Sequence, residues 1–590
     1  ERTFRRKKDA EELSCGFEAK LIAVAFFLGG LFGCNDDFLE EKPLDFLSSE
    51  NAYSEASGIK LGINGLHSYL RDVLYYGDDA IVYFYSSMAD VSYNGENPGG
   101  VTYEVLTPSN SLFYKLWKNM YILISRSNEL LLYIDEEETT GWDSPEQRAL
   151  YKGEVLFFRA YAYRLLTSFY GDVPLLVDAV TVPKTEFVRT SLKDVYAQVE
   201  SDLLFATQHL PDPGKEEEKG RVTKGAAYHL LSEVYLQEGK YKEAVEAATH
   251  VIDDFGYRLM TERFGATTDV FKTGDVFLDL FAYGNQNLSE NKEAIWVAQF
   301  GANLSGGGGT GNGPQGSNVS GGGGQNNGPR RHGPRYYSLG NDPAGYACIL
   351  GEFIDGKYTG YSDTLSRPVS WSRPTYHVTH EVWASDWDND IRNAPHNIKR
   401  TYYFQNPESP YNGQVIDFSL WGSYETNGRN PMKDTCNFIY PYWIGKVGDP
   451  CHIQAEPLRS GGGYTWKDCY FMRLAETYLN RAEAYIQLGE MQKAADDINV
   501  VRSRANAKPV AVGDVTIDYL LDERIRELYT EEFREVVLRR TGKFLEYLRK
   551  YNNNPQAPGM NVKDHNVLWP IPQTEIDATG GALTQNPGYN

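Results

Sequence analysis

The 590-residue sequence lacks the short motifs that mark common catalytic centres, having no HExxH, GxSxG, Walker A or CxxC motif. It also lacks a surplus of basic side chains, since 58 Lys and Arg stand against 80 Asp and Glu and give a net charge of −22. A protein of this charge repels polyanions, so nucleic acid and acidic ligands in general are disfavoured as partners. These absences favour a binding protein over an enzyme.

A hydrophobic run long enough to cross a bilayer is also missing, because the longest candidate, residues 21–33, has only 13 residues. Four consecutive basic residues, 5–8, precede it, as in a secretory leader. The run ends in Leu-Phe-Gly-Cys at residues 31–34, which is similar to a bacterial lipobox. We therefore interpret residues 1–33 as a lipoprotein signal peptide and expect a lipid on Cys34 to be the only anchor. The alternative is a plain signal peptide with an incidental cysteine.

Two segments have the spacing of paired amphipathic helices. In residues 465–505, apolar residues recur every three or four positions on both sides of Gly489. In residues 224–253 the same pattern recurs around Gly239. The first helix of the later segment is predicted to include Phe471 on its apolar stripe. Both segments predict helical hairpins of the tetratricopeptide (TPR) type, which must stack on neighbours to bury their apolar faces.

The same periodicity predicts further helices around these hairpins. They cover residues 58–70, 109–134, 154–170 and 192–210, and one long helix at 520–548 that turns Glu535 outward. A strand is predicted at 293–300, and the prolines of the tail predict an extended arm. The predicted fold is therefore mostly α, a TPR-like scaffold over residues 50–300 and 465–550 with an arm at 551–590.

Aromatic rings crowd residues 301–464, where helical periodicity is largely lost. We interpret this part as a loop-rich insertion laid over the scaffold, and residues 305–334, almost all Gly, Asn, Gln, Ser and Pro, as a long mobile loop. Rings stack on the faces of sugars, and Asp or Asn side chains bond hydroxyl groups. The candidate ligand-binding residues, each with core packing as its alternative, are Asp90, Tyr93, Asn94, Tyr336, Tyr337, Trp371 and Trp421.

Two further clusters contain residue types that can bind metals or act as acids and bases. His377, His380 and Glu381 have too few neighbouring ligands for a metal site, so ordinary polar contacts are expected. Asp386, Asp388 and Asp390 suit a solvated acidic turn or a calcium site better than a glycosidase pair. We predict no cofactor and no catalytic residue, and leave a structural calcium ion as an alternative.

The four cysteines that follow Cys34 leave two alternatives open. They lie at positions 348, 436, 451 and 469. In an exported protein they would form two disulfides in one of three connectivities, or they would remain buried thiols.

Several blocks together resemble the SusD/RagB family of Bacteroidetes outer-membrane lipoproteins. The blocks are residues 34–39 (CNDDFL), 159–175, 291–295 (NKEAI), 473–485, 523–528 (ERIREL), 569–572 (WPIP) and 585–589 (QNPGY). The resemblance covers nearly the whole chain and implies one SusD-like domain over residues 34–590, an α superhelix carrying the insertion. It implies a non-catalytic, lipid-anchored receptor on the extracellular face of the outer membrane.

The resemblance further implies a function in nutrient uptake. Such a protein captures a glycan and delivers it to a SusC-like TonB-dependent transporter. The first alternative is a peptide-binding receptor of the RagB type, and the second is a surface glycoside hydrolase. The third is a scaffold that holds surface proteins together.

Overall fold

The computed structural model describes residues 48–75, 87–301, 304, 326–354, 356–362, 364–426, 428–435, 437–451, 463 and 465–589. Residues up to Ser54 form a unit separate from the body that starts at Glu55. The described part of the first unit contains one short helix, α1 (Ser49–Ala52), capped by the Ser48 side chain. The predicted signal peptide, the lipidation site Cys34 and residues 305–325 of the predicted glycine-rich loop lie outside the described residues. The last nine residues of that loop, 326–334, include a short helix at Gly328–His332, which corrects the prediction of a loop there.

Helices dominate the body, and 47% helix against 7% strand confirms the prediction of a mostly α fold. The first group is α2 (Ala56–Tyr75), α3 (Ser111–Asp135), α4 (Pro145–Tyr170), α5 (Leu192–His209), α6 (Lys224–Glu238), α7 (Tyr241–Asp254), α8 (Thr267–Val270) and α9 (Val276–Phe281). The insertion contributes α10 (Gly328–His332), α11 (Tyr376–Thr379) and α12 (Ile444–Val447). The last group is α13 (Leu474–Gln487), α14 (Met491–Arg504), α15 (Ile517–Leu528), α16 (Arg534–Arg540), α17 (Phe544–Tyr551) and α18 (Gln573–Ala578).

The two predicted hairpins form and stack. Helices α6 and α7 turn at Gly239, and α13 and α14 turn at Gly489, each glycine taking the left-handed φ that such a turn needs. Helix α13 packs against α7 and also against α6. Alanines on the facing sides, Ala244 and Ala484, are buried in the shared core and allow the close approach. The hairpins thus supply each other with the apolar neighbours that a single hairpin lacks.

Short strand pairs connect distant parts of the chain. Strand β1 (Ser92–Tyr93) pairs with β5 (Arg373–Pro374), and β2 (Ala294–Ala298) pairs with β6 (Cys469–Arg473), both antiparallel. A hairpin inside the insertion joins β3 (Phe353–Ile354) to β4 (Lys357–Tyr358). Because β6 runs to Arg473, Phe471 lies in a strand, which corrects its predicted place on the helix. The pairing with β2 overrides helical periodicity there.

The predicted long helix at 520–548 is wrong, since three helices, α15, α16 and α17, occupy it. The chain leaves the helix after Leu528, with Thr530 at φ 77°, and again at Gly542. The break turns Glu535 inward, where it is buried and bonds Arg539 at 2.7 Å. The tail is also less extended than predicted, because α18 starts directly after Pro572, where a proline is tolerated.

The insertion has its own apolar core. Its members include Tyr336, Leu339, Phe404, Trp421 and Tyr442. Further order comes from 3-10 turns at Tyr336–Leu339, Glu381–Trp383, Ile391–Asn393 and Phe418–Trp421. The insertion is therefore a packed layer rather than a set of loose loops.

The cysteines of this layer do not pair as two disulfides. Cys348 and Cys451 are buried free thiols, and burial raises the pKa of both, that of Cys451 to about 12. The Cys469 sulfur accepts a hydrogen bond from Asn326 Nδ2 at 2.8 Å. Cys436 lies outside the described residues. Of the two alternatives, the structure therefore has buried thiols at Cys348 and Cys451.

A buried network of ionised side chains fastens the insertion to the scaffold. Six acidic groups face six basic ones, namely Glu293, Asp386, Asp390, Glu523, Glu527 and Glu531 with Arg392, Lys446, Arg473, Arg502, Arg504 and Arg526. The charges balance, which is the condition under which so many ions are tolerated away from water. The network joins the 386–392 turn of the insertion to α14 and α15.

This network corrects the prediction for the acidic turn. Asp386 accepts from Arg502 at 3.1 Å and Asp390 from Arg392 at 2.6 Å, and both carboxylates are buried. They are therefore neither solvated nor available to a glycan.

None of the described helices combines the length and hydrophobicity needed to cross a membrane.

Candidate functional site

Strand pairing brings the segment between α2 and α3, which we call the early loop, together with the insertion. The β1–β5 pair places Tyr93 opposite Arg373, and Gly95 N then donates to Ser370 O at 2.8 Å. Two segments about 280 residues apart in the chain thus become one surface. Asn94 and Trp371, both predicted as ligand residues, lie on the two segments that meet there.

Asp90 connects the early loop to helix α16. Its carboxylate is fully buried and bonds Arg534 of α16, with Nη2 to Oδ2 at 2.8 Å and Nε to Oδ1 at 3.0 Å. Asn552 adds bonds to the carbonyl oxygens of Ala89 and Ser92. The structure therefore gives Asp90 a positioning role for the loop, because a carboxylate that is fully buried and paired with Arg534 is not accessible to a ligand.

The centre of the surface is a tryptophan among charged side chains. Trp371 Nε1 donates to Glu96 Oε2 at 2.7 Å, and Arg335 forms an ion pair with the same carboxylate. The guanidinium carbons of Arg330 and Arg331 lie 5.1 Å and 4.9 Å from the Trp371 ring centroid. Glu96 is exposed and Trp371 is half-buried. The arrangement presents a ring with hydrogen-bond donors and an acceptor beside it.

A tyrosine pair extends this surface. Tyr337 and Tyr361 meet edge to face with centroids 4.8 Å apart, and Arg367 lies over both rings. Burial raises the pKa of Tyr337 above its ordinary value. We call the set Glu96, Arg330, Arg335, Tyr337, Tyr361, Arg367 and Trp371 the Trp371 face.

The remaining predicted residues are not members of this face. Tyr93 is buried, and Asn94 is half-buried, accepting from the backbone N–H groups of Glu96 and Asn97 to shape the turn. Tyr336 is buried and donates to Ser366 O, and Trp421 is buried against Phe404. The rings of Tyr336 and Trp421 are enclosed. These two residues therefore pack in the core, which is the alternative given for every candidate. The assignment of Asn94, Tyr337 and Trp371 to ligand binding stays a prediction.

Sequence reasoning missed the charged members of the face. Glu96, Arg335 and Arg367 carry no motif, and nothing in their spacing relates residue 96 to residue 335. A usable signal was Arg330-Arg331, a basic pair at the end of a glycine-rich loop in an acidic protein. Each strand of the pair that assembles the face is only two residues long. A strand this short cannot be recognised from alternating apolar and polar residues in the sequence.

The other clusters have structural explanations. His377 bonds Glu381 at 2.8 Å and Asp522 at 2.9 Å, the ordinary polar contacts that were predicted. His229, Glu233 and Glu476 lie close enough to surround a metal ion. However, Arg164 pairs with Glu233 at 2.9 Å and Arg524 with Glu476 at 3.2 Å. These cations already balance the two carboxylates, so the group is better described as an ion-pair cluster.

Comparisons with known proteins cover the chain. The sequence profile of the SusD family matches residues 292–589. A second profile, "Starch-binding associating with outer membrane", matches residues 37–236, and a tetratricopeptide profile matches 225–253. The last match includes the hairpin of α6 and α7.

Individual relatives agree with the profiles. SusD-like protein P25 of Formosa agariphila is 24% identical over 96% of this chain and 99% of its own length. The starch-binding protein SusD of Bacteroides thetaiotaomicron is 26% identical over 78% of this chain and 75% of its own length. A solved laminarin-binding SusD-like protein has the same fold, with a TM-score of 0.65 and 21% identity over 91% of this chain and all of that one. The SusD family profile matches just over half of the residues of this chain. The chain therefore belongs to the SusD family.

Proposed function

We propose that this protein captures oligosaccharides on the Trp371 face and delivers them to a SusC-like TonB-dependent transporter in the outer membrane. The observation that carries the proposal is the assembly of an accessible tryptophan with Glu96 and Arg335 by the β1–β5 pair. Relatives named as starch-binding and laminarin-binding support a glycan as the ligand class.

The mechanism is capture without bond breaking. The apolar face of a pyranose stacks on Trp371, while Glu96 accepts from hydroxyl groups and Arg335 donates to them. Each bond adds only modestly because water competes for the same groups. Moderate affinity suits a receptor that must release its cargo. The rigid layer beneath, fixed by Asp90 and the ion network, keeps the face preformed and lowers the entropy lost on binding.

Replacing Trp371 with alanine tests the site. We expect affinity for a neutral glucan, maltoheptaose or laminarihexaose, to fall by at least about thirtyfold, because truncating a central ring removes about 2 kcal/mol of binding. Isothermal titration calorimetry measures the change. Trp387→Ala, which removes an exposed ring outside the face, is the matched control and should bind the neutral glucan as the unmodified protein does.

The rival functions give other results in the same assays. A peptide receptor of the RagB type would bind oligopeptides and ignore every glucan in the calorimeter. A glycoside hydrolase would release reducing ends from the glucan on prolonged incubation. A scaffold protein would bind protein partners tightly and no oligosaccharide. Unchanged glucan affinity in Trp371→Ala would place the site elsewhere.

Membrane attachment depends on Cys34 in this proposal. We expect Cys34→Ser to abolish incorporation of labelled palmitate and to move the protein out of the outer-membrane fraction, since one thioether-linked lipid group and its acyl chains supply the anchor. Fractionation with immunoblotting measures the shift, and Cys15→Ser is the matched control. Retention of the Cys34 variant in the membrane, with label, would contradict lipidation at this residue.

A further inference from the structure

A second aromatic cleft lies in the insertion and shares no residue with the Trp371 face. It is lined mainly by residues 387–403, together with Asp275 and Asn506, and it encloses about 760 Å³. Two of its rings are open to solvent, Trp387 at 40% and Tyr403 at 48% exposure. Concave sites of this volume with accessible rings are typical of ligand pockets.

The Trp387 ring is held in place on the protein side. It stacks on His380 with centroids 5.9 Å apart, and His380 stacks in turn on Tyr376 at 4.6 Å. The Arg400 guanidinium carbon lies 4.6 Å from the Trp387 centroid. Arg400 is itself fixed by bonds to Thr379 O, at 2.9 Å, and to Asn393 Oδ1. A fixed ring beside a fixed cation loses little entropy when a ligand binds.

The acidic groups of the cleft do not neutralise its cations. Asp275 bonds His396 at 2.6 Å, and Asp390 pairs with Arg392 at 2.6 Å. Asp388 is exposed and makes no ion pair with a described residue. Within the part of the chain that the structure describes, neither Lys399 nor Arg400 has a carboxylate within ion-pair distance.

The two cations are partly desolvated as well as unpaired. Burial lowers the pKa of Lys399 and lowers that of Arg400 to about 10. A partly buried cation without a counter-ion is unfavourable, and an anionic ligand would relieve that cost through charge-assisted bonds. In a protein with a net charge of −22, two cations without counter-ions among the residues that line one cleft single out this cleft.

We propose that this cleft binds an acidic carbohydrate, whose sugar ring stacks on Trp387 and whose carboxylate or sulfate groups pair with Arg400 beside that ring and with Lys399 on the cleft wall. The inference deepens the proposed function and rests on it for the ligand class. The net negative charge opposes acidic ligands at long range, but screening limits that field to about 8 Å at physiological ionic strength. At contact distance the attraction between the acidic ligand and the two cations is stronger than this screened repulsion.

A pair of ligands that differ in charge and by one methyl group per sugar tests the proposal on the intact protein. Hexameric oligogalacturonate and its fully methyl-esterified form are titrated calorimetrically at low and at high salt. We expect the acid to bind at least about tenfold more tightly than the ester, and salt to weaken the acid alone. A sulfated galactan oligosaccharide in a third arm distinguishes sulfate from carboxylate as the preferred group. Equal affinity for acid and ester, with no binding of the sulfated ligand, would overturn the proposal.

Variants locate the binding. Trp387→Ala, Lys399→Gln and Arg400→Gln should each lower affinity for the preferred acidic ligand by about tenfold or more. Trp371→Ala should leave the affinity for the acidic ligand unchanged while it lowers the affinity for the neutral glucan. The two sites can therefore be impaired independently of each other. Thermal melting shows whether each variant is folded. Unchanged acidic-ligand affinity in folded Lys399→Gln and Trp387→Ala would place the anion elsewhere.

Discussion

Replacing Glu527 with alanine should lower the free energy of unfolding by about 3–5 kcal/mol, the usual effect of removing one partner from a buried ion pair. Glu527 Oε1 accepts from Arg473 Nη1 at 2.6 Å and from Arg504, and Oε2 accepts from Arg392 Nη1 at 2.9 Å. Without this carboxylate, the balanced network retains one uncompensated positive charge away from water. The insertion and α15 should separate more easily as a result.

The control for this variant is Glu546→Ala. Glu546 also pairs with a cation, Lys543 at 3.0 Å, but its side chain is 52% exposed. An exposed pair contributes about 0–1 kcal/mol, so the two variants differ in burial rather than in chemistry. Urea unfolding followed by fluorescence and by circular dichroism gives both values. A Glu527 variant as stable as the Glu546 variant would show that the network does not hold the fold.

The same network predicts acid sensitivity. Burial alone would raise the pKa of Glu527, but Arg504, Arg473 and Arg392 outweigh it and hold that pKa well below its usual range. The pKa of Glu523 is likewise lowered, to about 2, because Arg392, Arg526 and Arg502 outweigh the effect of burial. The unfolded chain then binds more protons than the folded one between about pH 4.5 and 2, so stability falls as the pH falls through this window. Glu527→Gln should show a shallower loss over the same range.

Replacing Trp296 with alanine should lower the free energy of unfolding by about 3–5 kcal/mol, as expected for a fully buried tryptophan. Trp296 lies on β2 and stacks on Phe471 of β6 with centroids 4.0 Å apart. Its edges meet Phe157 and Phe158 of α4 at 5.2 Å and 6.0 Å. The ring therefore fastens the β2–β6 pair to the first helices of the scaffold.

A polar contact adds to this packing. Trp296 Nε1 donates to Gly220 O at 3.0 Å, so the alanine variant also leaves a carbonyl oxygen without its donor. Trp296→Phe, which keeps most of the ring contacts, should recover more than half of the loss. Trp387→Ala, on an exposed ring, is the control and should change the unfolding midpoint little. Equal midpoints for Trp296→Ala and Trp387→Ala would show that burial of Trp296 does not support the fold.

The candidate site was only partly predictable from the sequence. Rings and amides in irregular segments suit carbohydrate, and this pattern predicts Trp371, Tyr337 and Asn94, which the structure places on or beside one face. Trp421 and Tyr336 satisfied the same rule and are enclosed in the core of the insertion. Composition does not separate these cases, because exposure depends on neighbours that lie far away in the chain.

The sequence by itself determined the helical hairpins around Gly239 and Gly489, since their spacing is a local property that each helix expresses on its own. It also determined the family, through blocks spread along the chain. Only the tertiary structure decided which rings remain open to solvent and which charges are paired. Both depend on contacts between distant segments, as when Arg534 reaches Asp90 or when β5 brings Trp371 to Glu96. Periodicity records which side of an element is apolar, but it does not record what covers that side.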